Sequence, residues 1–267
     1  MASLRLGIIG YGNMARAILE SVLLNEQFAP SDIILYDTDP AKLQSRPSPE
    51  ILAAESLRDL MRFSDLILLS IKPQVFPAVL PELKPYSAGK CFLTIAAGIS
   101  TGYIKEHVGA NTHVVRVMPN TPILYGKGAT AIAKTDSVPH EYYKLAVSIF
   151  QSAGEIAFID ESQMNEITGV NGSSPAYYFL LVDAICKAAE EQGIESAAAL
   201  RLAAKTMEGA AVMLLESGRS PAELAADVTS PGGTTLAALT AMEKLGFTNA
   251  VREGMLACTK RAYELGK

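Results

Sequence analysis

The ten residues 226–235, ADVTSPGGTT, set four hydroxyl side chains around Pro-Gly-Gly, directly before the helical run LAALTAMEKLG. One hydroxyl is enough to cap a helix. Four of them (Thr229, Ser230, Thr234 and Thr235) with two adjacent glycines read as a strained loop or an anion site. Free N–H groups and the dipole at a helix start favour negative charge. Gly233 is expected to hold a positive φ there and let a ligand approach the backbone. A second chemical stretch opens the chain: LGIIGYGNMA at 6–15 gives G-x-G-x-x-A through Gly10, Gly12 and Ala15, between an apolar run and a helical one. The first glycine permits the turn, the second admits a pyrophosphate, and the small third residue lets helix and strand pack closely. Asp37 follows 22 residues after Ala15, where an acidic residue takes the adenosine ribose hydroxyls. With Asp39 it opposes a 2′-phosphate and favours NADH over NADPH; Lys42 or Arg46 is near enough in sequence to offset that charge.

Two further loops follow apolar runs, Ser70-Ile71-Lys72-Pro73-Gln74 and Met118-Pro119-Asn120-Thr121-Pro122. In open α/β sheets ligands lie at such strand ends. Farther on, Asn171-Gly172-Ser173-Ser174-Pro175 offers small polar groups before a long apolar helix. No lysine stands there to take a proton from an alcohol: the first after Asn171 is Lys187. Lys72 and Asp227 are the ionisable groups of these loops. Alcohol oxidation therefore lacks an evident base, whereas an imine carbon is already electrophilic and needs only orientation and a hydrogen bond at nitrogen.

Such loops must be carried by a scaffold, and the pattern divides in two. Up to about residue 160, apolar runs (RLGIIG, DIILYD, DLILLSI, CFLTIAA, HVVRVM, GATAIA, EIAFID) alternate with amphipathic segments. Near-continuous apolar strands between helices predict a mostly parallel sheet covered on both faces. From 161 to 267 the signal is helical, with Ser-Pro starts and glycine ends. The expected architecture is an α/β Rossmann-type domain over 1–160, then an all-α domain over 161–267. The chain of 267 residues carries a net charge of −5, which argues against a nucleic-acid partner. Its best apolar runs meet Asp183 before reaching the ~20 residues of a membrane span. Cys91, Cys186 and Cys258 are scattered, as are the three histidines, so no metal site is visible. Thiols without a pairing pattern fit a reducing cytoplasm.

GYGNMA, IKPQ, AAGIS, RVMPNTP, NGSSPAY and above all DVTSPGGTT occur here in the order in which similar segments occur in Δ1-pyrroline-5-carboxylate reductases, and the chain resembles that family along essentially its whole length. The resemblance implies reduction of the cyclic imine to L-proline with NAD(P)H. It implies cofactor contacts from Ile9, Gly10, Tyr11, Gly12, Asn13, Met14, Asp37, Ser70, Ile71, Lys72, Pro73 and Ala97. It implies substrate contacts from Ser173, Ser174, Ser230, Gly233, Thr234 and Thr235, with Thr235 at the ring nitrogen. A homodimer with intertwined helical domains is implied as well, and several members assemble further. Many members carry small or neutral residues where this chain has Asp37 and Asp39, and an asparagine of many relatives that contacts the cofactor is replaced here by Leu57 beside Ser56. Three alternatives remain open at this point: another cyclic-imine reductase, a β-hydroxyacid dehydrogenase of the same architecture, and a non-enzymatic dinucleotide-binding regulator.

Overall fold

The computed structural model describes residues 4–266. Eight strands form one sheet in the order β3-β2-β1-β4-β5-β6-β7-β8. They are β1 (Leu6–Ile9), β2 (Ile33–Tyr36), β3 (Leu52–Ala53), β4 (Leu66–Leu69), β5 (Cys91–Thr94), β6 (His113–Met118), β7 (Gly128–Ala133) and β8 (Gly154–Ile159). The first six run parallel in the doubly wound Rossmann order; β7 pairs antiparallel to β6, and β8 parallel to β7. Seven of these are the apolar runs of the sequence. The eighth, β3, is only two residues long, both exposed, too short for the sequence pattern to mark it as a strand.

Side chains alternate between the two faces, as the pleat requires. Leu6, Ile8, Leu66, Leu68 and Leu93 enter one core with α1 (Asn13–Leu24) and α6 (His140–Gln151). Ile9, Ile34, Ile67, Leu69 and Phe92 enter the other with α3 (Leu57–Phe63), α4 (Phe76–Leu83) and α5 (Thr101–Val108). The short α2 (Pro40–Leu43) follows β2, with Asp39 as its N-cap: its side chain accepts from the Ala41 N–H at 3.1 Å.

After β8 the chain is helical: α7 (Ser174–Glu191), α8 (Ser196–Glu216), α9 (Pro221–Asp227), α10 (Thr234–Lys244) and α11 (Phe247–Leu265). Ser220 caps α9 in a full capping box with Glu223, as its Ser-Pro start predicts. Strands therefore end where the sequence pattern puts the boundary, but the compact units divide differently. The first unit continues through Pro175 and resumes at Ala257; the second is Ala176–Leu256. The end of α11 packs in the first unit, where Gly98 (φ +83) lies so close that a Cβ would meet the Ala262 carbonyl at 2.3 Å. Within the second unit Ala199 alone is buried, while Phe179, Leu180, Leu202, Leu215 and Leu245 are between 66% and 88% exposed. Helices with apolar faces and no core of their own need a covering surface. No helix among the described residues is long and apolar enough to cross a membrane.

Candidate active site

The sheet topology reverses between β1 and β4, and a cleft of about 690 Å³ opens there, at the carboxyl ends of the strands. Gly10 makes the turn off β1 with φ +88, and a Cβ on it would strike the Ser70 carbonyl at 2.5 Å. Its N–H donates to the Tyr36 carbonyl at 2.8 Å, and the Ser70 N–H donates to the Ile9 carbonyl at 2.9 Å. Three strand ends are thereby tied together. Gly12 faces the opposite way: nothing lies within 4 Å of its Cβ position. It caps α1, whose first turn carries no side-chain cap and no acidic residue. An open cradle at an uncapped helix start is what a pyrophosphate requires. The site fits a dinucleotide.

Of the twelve cofactor residues the sequence assigns, Ile9, Gly10, Gly12, Asn13, Met14, Asp37, Ser70, Ile71, Lys72, Pro73 and Ala97 all line this cleft. Tyr11 turns its ring into the core at 2% exposure and reaches the cleft margin only through its N–H, which donates to Asp37 Oδ2 at 2.8 Å. Asp37 itself is not the free acceptor that the sequence suggests. Its Oδ1 accepts from the Asp39 N–H at 2.9 Å, and the Lys42 ammonium spans both oxygens at 3.0 and 3.2 Å. Burial alone raises the carboxyl's pKa, but the backbone donors and Lys42 outweigh it and hold the group below the usual carboxylate range. Leu57 is core rather than cleft, 5% exposed, and Ser56 beside it is occupied as the α3 cap, donating to Asp59 at 2.6 Å.

The far wall comes from the two further loops that the sequence singles out, with Thr168 added to them. Met118, Pro119, Thr168, Gly172 and Ser173 line it, held by two buried asparagines. Asn171 donates to the Met118 carbonyl at 2.7 Å and the Ala129 carbonyl at 2.8 Å, inside a π-helical turn over Thr168–Gly172. Asn120 accepts from the Ala129 N–H at 2.9 Å and donates to the Asn171 carbonyl at 3.2 Å. The Ser173 hydroxyl lies 3.3 Å from the Cys258 thiol. Ser174 is buried and does not line the cleft.

The hydroxyl loop belongs to the second unit. Ser230-Pro-Gly-Gly closes a turn through the Gly233 N–H to the Ser230 carbonyl at 3.0 Å. With Pro at its second position and Gly232 at φ +71 in its third, it has the type II pattern. The positive φ therefore falls on Gly232; Gly233, expected to hold it, has φ −79 and N-caps α10. The Thr229 hydroxyl is taken by the Ala225 carbonyl at 2.6 Å. Those of Ser230, Thr234 and Thr235 make no hydrogen bond among the described residues, and no side chain caps the helix. Asp227 is engaged by Arg219, which holds its carboxyl below the ordinary value. It is no free base. A Cβ on Gly233 would meet the Ser230 hydroxyl at 2.5 Å and its carbonyl at 3.1 Å. Gly233→Ala is therefore expected to turn the Ser230 hydroxyl away and raise the substrate KM by roughly tenfold, the loss of about one hydrogen bond to a charged group. Steady-state kinetics beside a melting curve would separate this from unfolding; an unchanged KM would remove Ser230 from the binding loop.

A Rossmann sheet with an open glycine cradle, followed by helices, defines a dinucleotide-binding oxidoreductase. Comparison narrows the class. The family model for pyrroline-5-carboxylate reductase dimerisation matches residues 161–265, and that for coenzyme F420-dependent NADP oxidoreductase matches residues 5–98. The chain is 37% identical to a pyrroline-5-carboxylate reductase from Synechocystis, covering 99% of both chains. It is 35% identical to that of Escherichia coli, covering 98% of both. The solved pyrroline carboxylate reductase of Plasmodium falciparum, with NADP bound, superposes over 100% of both chains with a TM-score of 0.92 at 28% identity. The chain belongs to the pyrroline-5-carboxylate reductase family.

Proposed function

We propose that the chain reduces L-1-pyrroline-5-carboxylate to L-proline, the last step of proline synthesis. The observation that carries this reading is full-length membership of the family combined with an intact pair of sites: the cradle over Gly12 and the hydroxyl loop before α10. Bound NAD(P)H supplies the hydride for C5 of the ring imine. The residues lining the cleft hold the dinucleotide, with the first-turn N–H groups of α1 on its pyrophosphate. In the second unit the N–H groups at the start of α10, with the hydroxyls of Ser230 and Thr234, hold the substrate carboxylate, and Thr235 addresses the ring nitrogen. Ser173, on the far wall of the cleft, is the serine left to the substrate side, since Ser174 is buried away from it.

Two protomers pair through the helical segment 161–267, each covering the other's exposed apolar helices. The near absence of buried residues in Ala176–Leu256 supports that pairing. Three free cysteines, with burial pushing the Cys91 thiol up to about 12, are consistent with a reducing cytoplasm.

The test is oxidation of NADPH and NADH by the purified protein with and without pyrroline-5-carboxylate, with proline measured as product. Neither cofactor being consumed above the substrate-free rate would overturn the assignment.

A further inference from the structure

We propose that Lys42 is the side chain that receives the adenosine 2′-phosphate of NADPH, despite the aspartate at the end of β2. The inference rests on the dinucleotide reading of the cleft and assigns one residue within it.

The charges along the cleft are few. Among the described residues, Asp37 is its one carboxylate, and Lys42 and Lys72 are its two cations. The two lysines stand on opposite sides of β1: Lys42 follows β2, Lys72 follows β4. In a doubly wound sheet the adenosine ribose lies at the end of the strand after the glycine helix, here β2, so Lys42 and not Lys72 faces the 2′ position. An aspartate there normally holds the 2′- and 3′-hydroxyls and repels a phosphate. Here its carboxylate already accepts from two backbone N–H groups and from the ammonium of Lys42, at 2.8, 2.9 and 3.0 Å. It acts as a fastener between the glycine turn and α2. Asp39 is likewise occupied, as the α2 cap. Neither acid is left to read ribose hydroxyls.

Lys42 is differently placed. An ammonium has three donors, and its side chain is 42% exposed against 7% for Asp37. The pair thus turns its cation outward and its anion inward. A 2′-phosphate arriving at this corner meets a cation backed by a carboxylate rather than a bare carboxylate. No other positive side chain among the described residues lines this end: Arg46 donates to the Leu43 carbonyl at 3.0 Å and lies outside the cleft, and Leu57 and Ser56 are committed to the core and to a cap. Remove Lys42, and the charge of Asp37 faces the phosphate uncompensated.

The experiment measures dissociation constants of NADPH and NADH by nucleotide fluorescence, over a salt series, for the wild type, Lys42→Met and Lys42→Arg. Lys42→Met is expected to weaken NADPH at least about tenfold, the loss of one charge-assisted contact to a phosphate, while NADH moves less than about twofold. Lys42→Arg keeps the charge and should hold NADPH within about threefold of wild type. Wild-type affinity for NADPH should fall more steeply with salt than that for NADH, and the methionine variant should lose this difference. Equal weakening of both cofactors in Lys42→Met would make Lys42 a mere support of the turn and overturn the proposal, as would unchanged NADPH binding. A wild type that bound neither nucleotide would instead overturn the dinucleotide reading.

Discussion

Gly12→Val is expected to leave a folded protein that no longer binds NADPH, with affinity at least about a hundredfold weaker, on the order of 3 kcal/mol. The reason is the contrast between two glycines in one turn. At Gly12 a side chain would project into space free of any atom within 4 Å, and its φ of −86 suits any residue. Nothing in the fold objects to valine. The isopropyl group would instead occupy the cradle through which the α1 N-terminus meets a diphosphate. Gly10 predicts the reverse. Its φ of +88 and the Ser70 carbonyl 2.5 Å from its Cβ position make alanine strained from within, at a cost on the order of 2 kcal/mol and a Tm lower by several degrees. Thermal melts and fluorescence titrations of the two variants should thus separate: binding lost with the melt intact for Gly12→Val, the melt lowered for Gly10→Ala. A valine variant that still bound NADPH within about threefold of wild type would mean that the pyrophosphate does not cross Gly12 at all.

The glycine pattern states part of this on its own, because G-x-G-x-x-A between a strand and a helix encodes local geometry. The seven apolar runs are legible for a similar reason: strands buried on both faces, such as LGII and LILL, leave no polar period to confuse them with surface helix. The near wall of the cleft, built from residues on three such strand ends, follows directly. The order of strands and the bonds that hold the far wall do not. Asn171 reaches Met118 and Ala129 across 53 and 42 residues, and no local pattern announces a partner that distant. The pairing of Asp37 with Lys42 lies between. A spacing of five makes the two residues neighbours in sequence, but that the ammonium faces its own aspartate is seen only in the fold. Gly232 is a different matter. Pro followed by Gly at the third turn position is a type II signal, so the sequence itself marks Gly232, one position before Gly233, as the residue of positive φ.

At the chemical step, Thr235→Val should reduce kcat/KM for the imine by roughly 30- to 150-fold, on the order of 2–3 kcal/mol, the usual cost of one transition-state hydrogen bond in a partly dry site. Threonines elsewhere in the second unit show why this hydroxyl is available. Thr229 and Thr240 donate back to the carbonyls four residues earlier, Ala225 and Leu236, at 2.6 and 2.8 Å, the habitual arrangement inside helices. Thr235 is the second residue of α10, and the residue four back is Pro231, in the turn outside the helix. With no helical carbonyl to take its proton, its hydroxyl remains free among the described residues. Reduction of the C=N bond turns the ring nitrogen into an amine, so a donor fixed at that atom gains strength as the barrier is crossed. A threonine hydroxyl is far too weak an acid to give up its proton there. The role we propose for it is orientation and hydrogen bonding, with solvent or a substrate already protonated as the iminium supplying the proton. Thr235→Ser keeps the donor and loses one methyl, and should retain activity within about fivefold. Cofactor affinity should be unaltered in both variants, since the glycine cradle lies in the first unit. The deciding measurement sets kcat/KM of the two variants beside their NADPH dissociation constants. A valine enzyme as fast as wild type would reduce Thr235 to a residue of the helix start, and the donor at the ring nitrogen would have to be sought elsewhere.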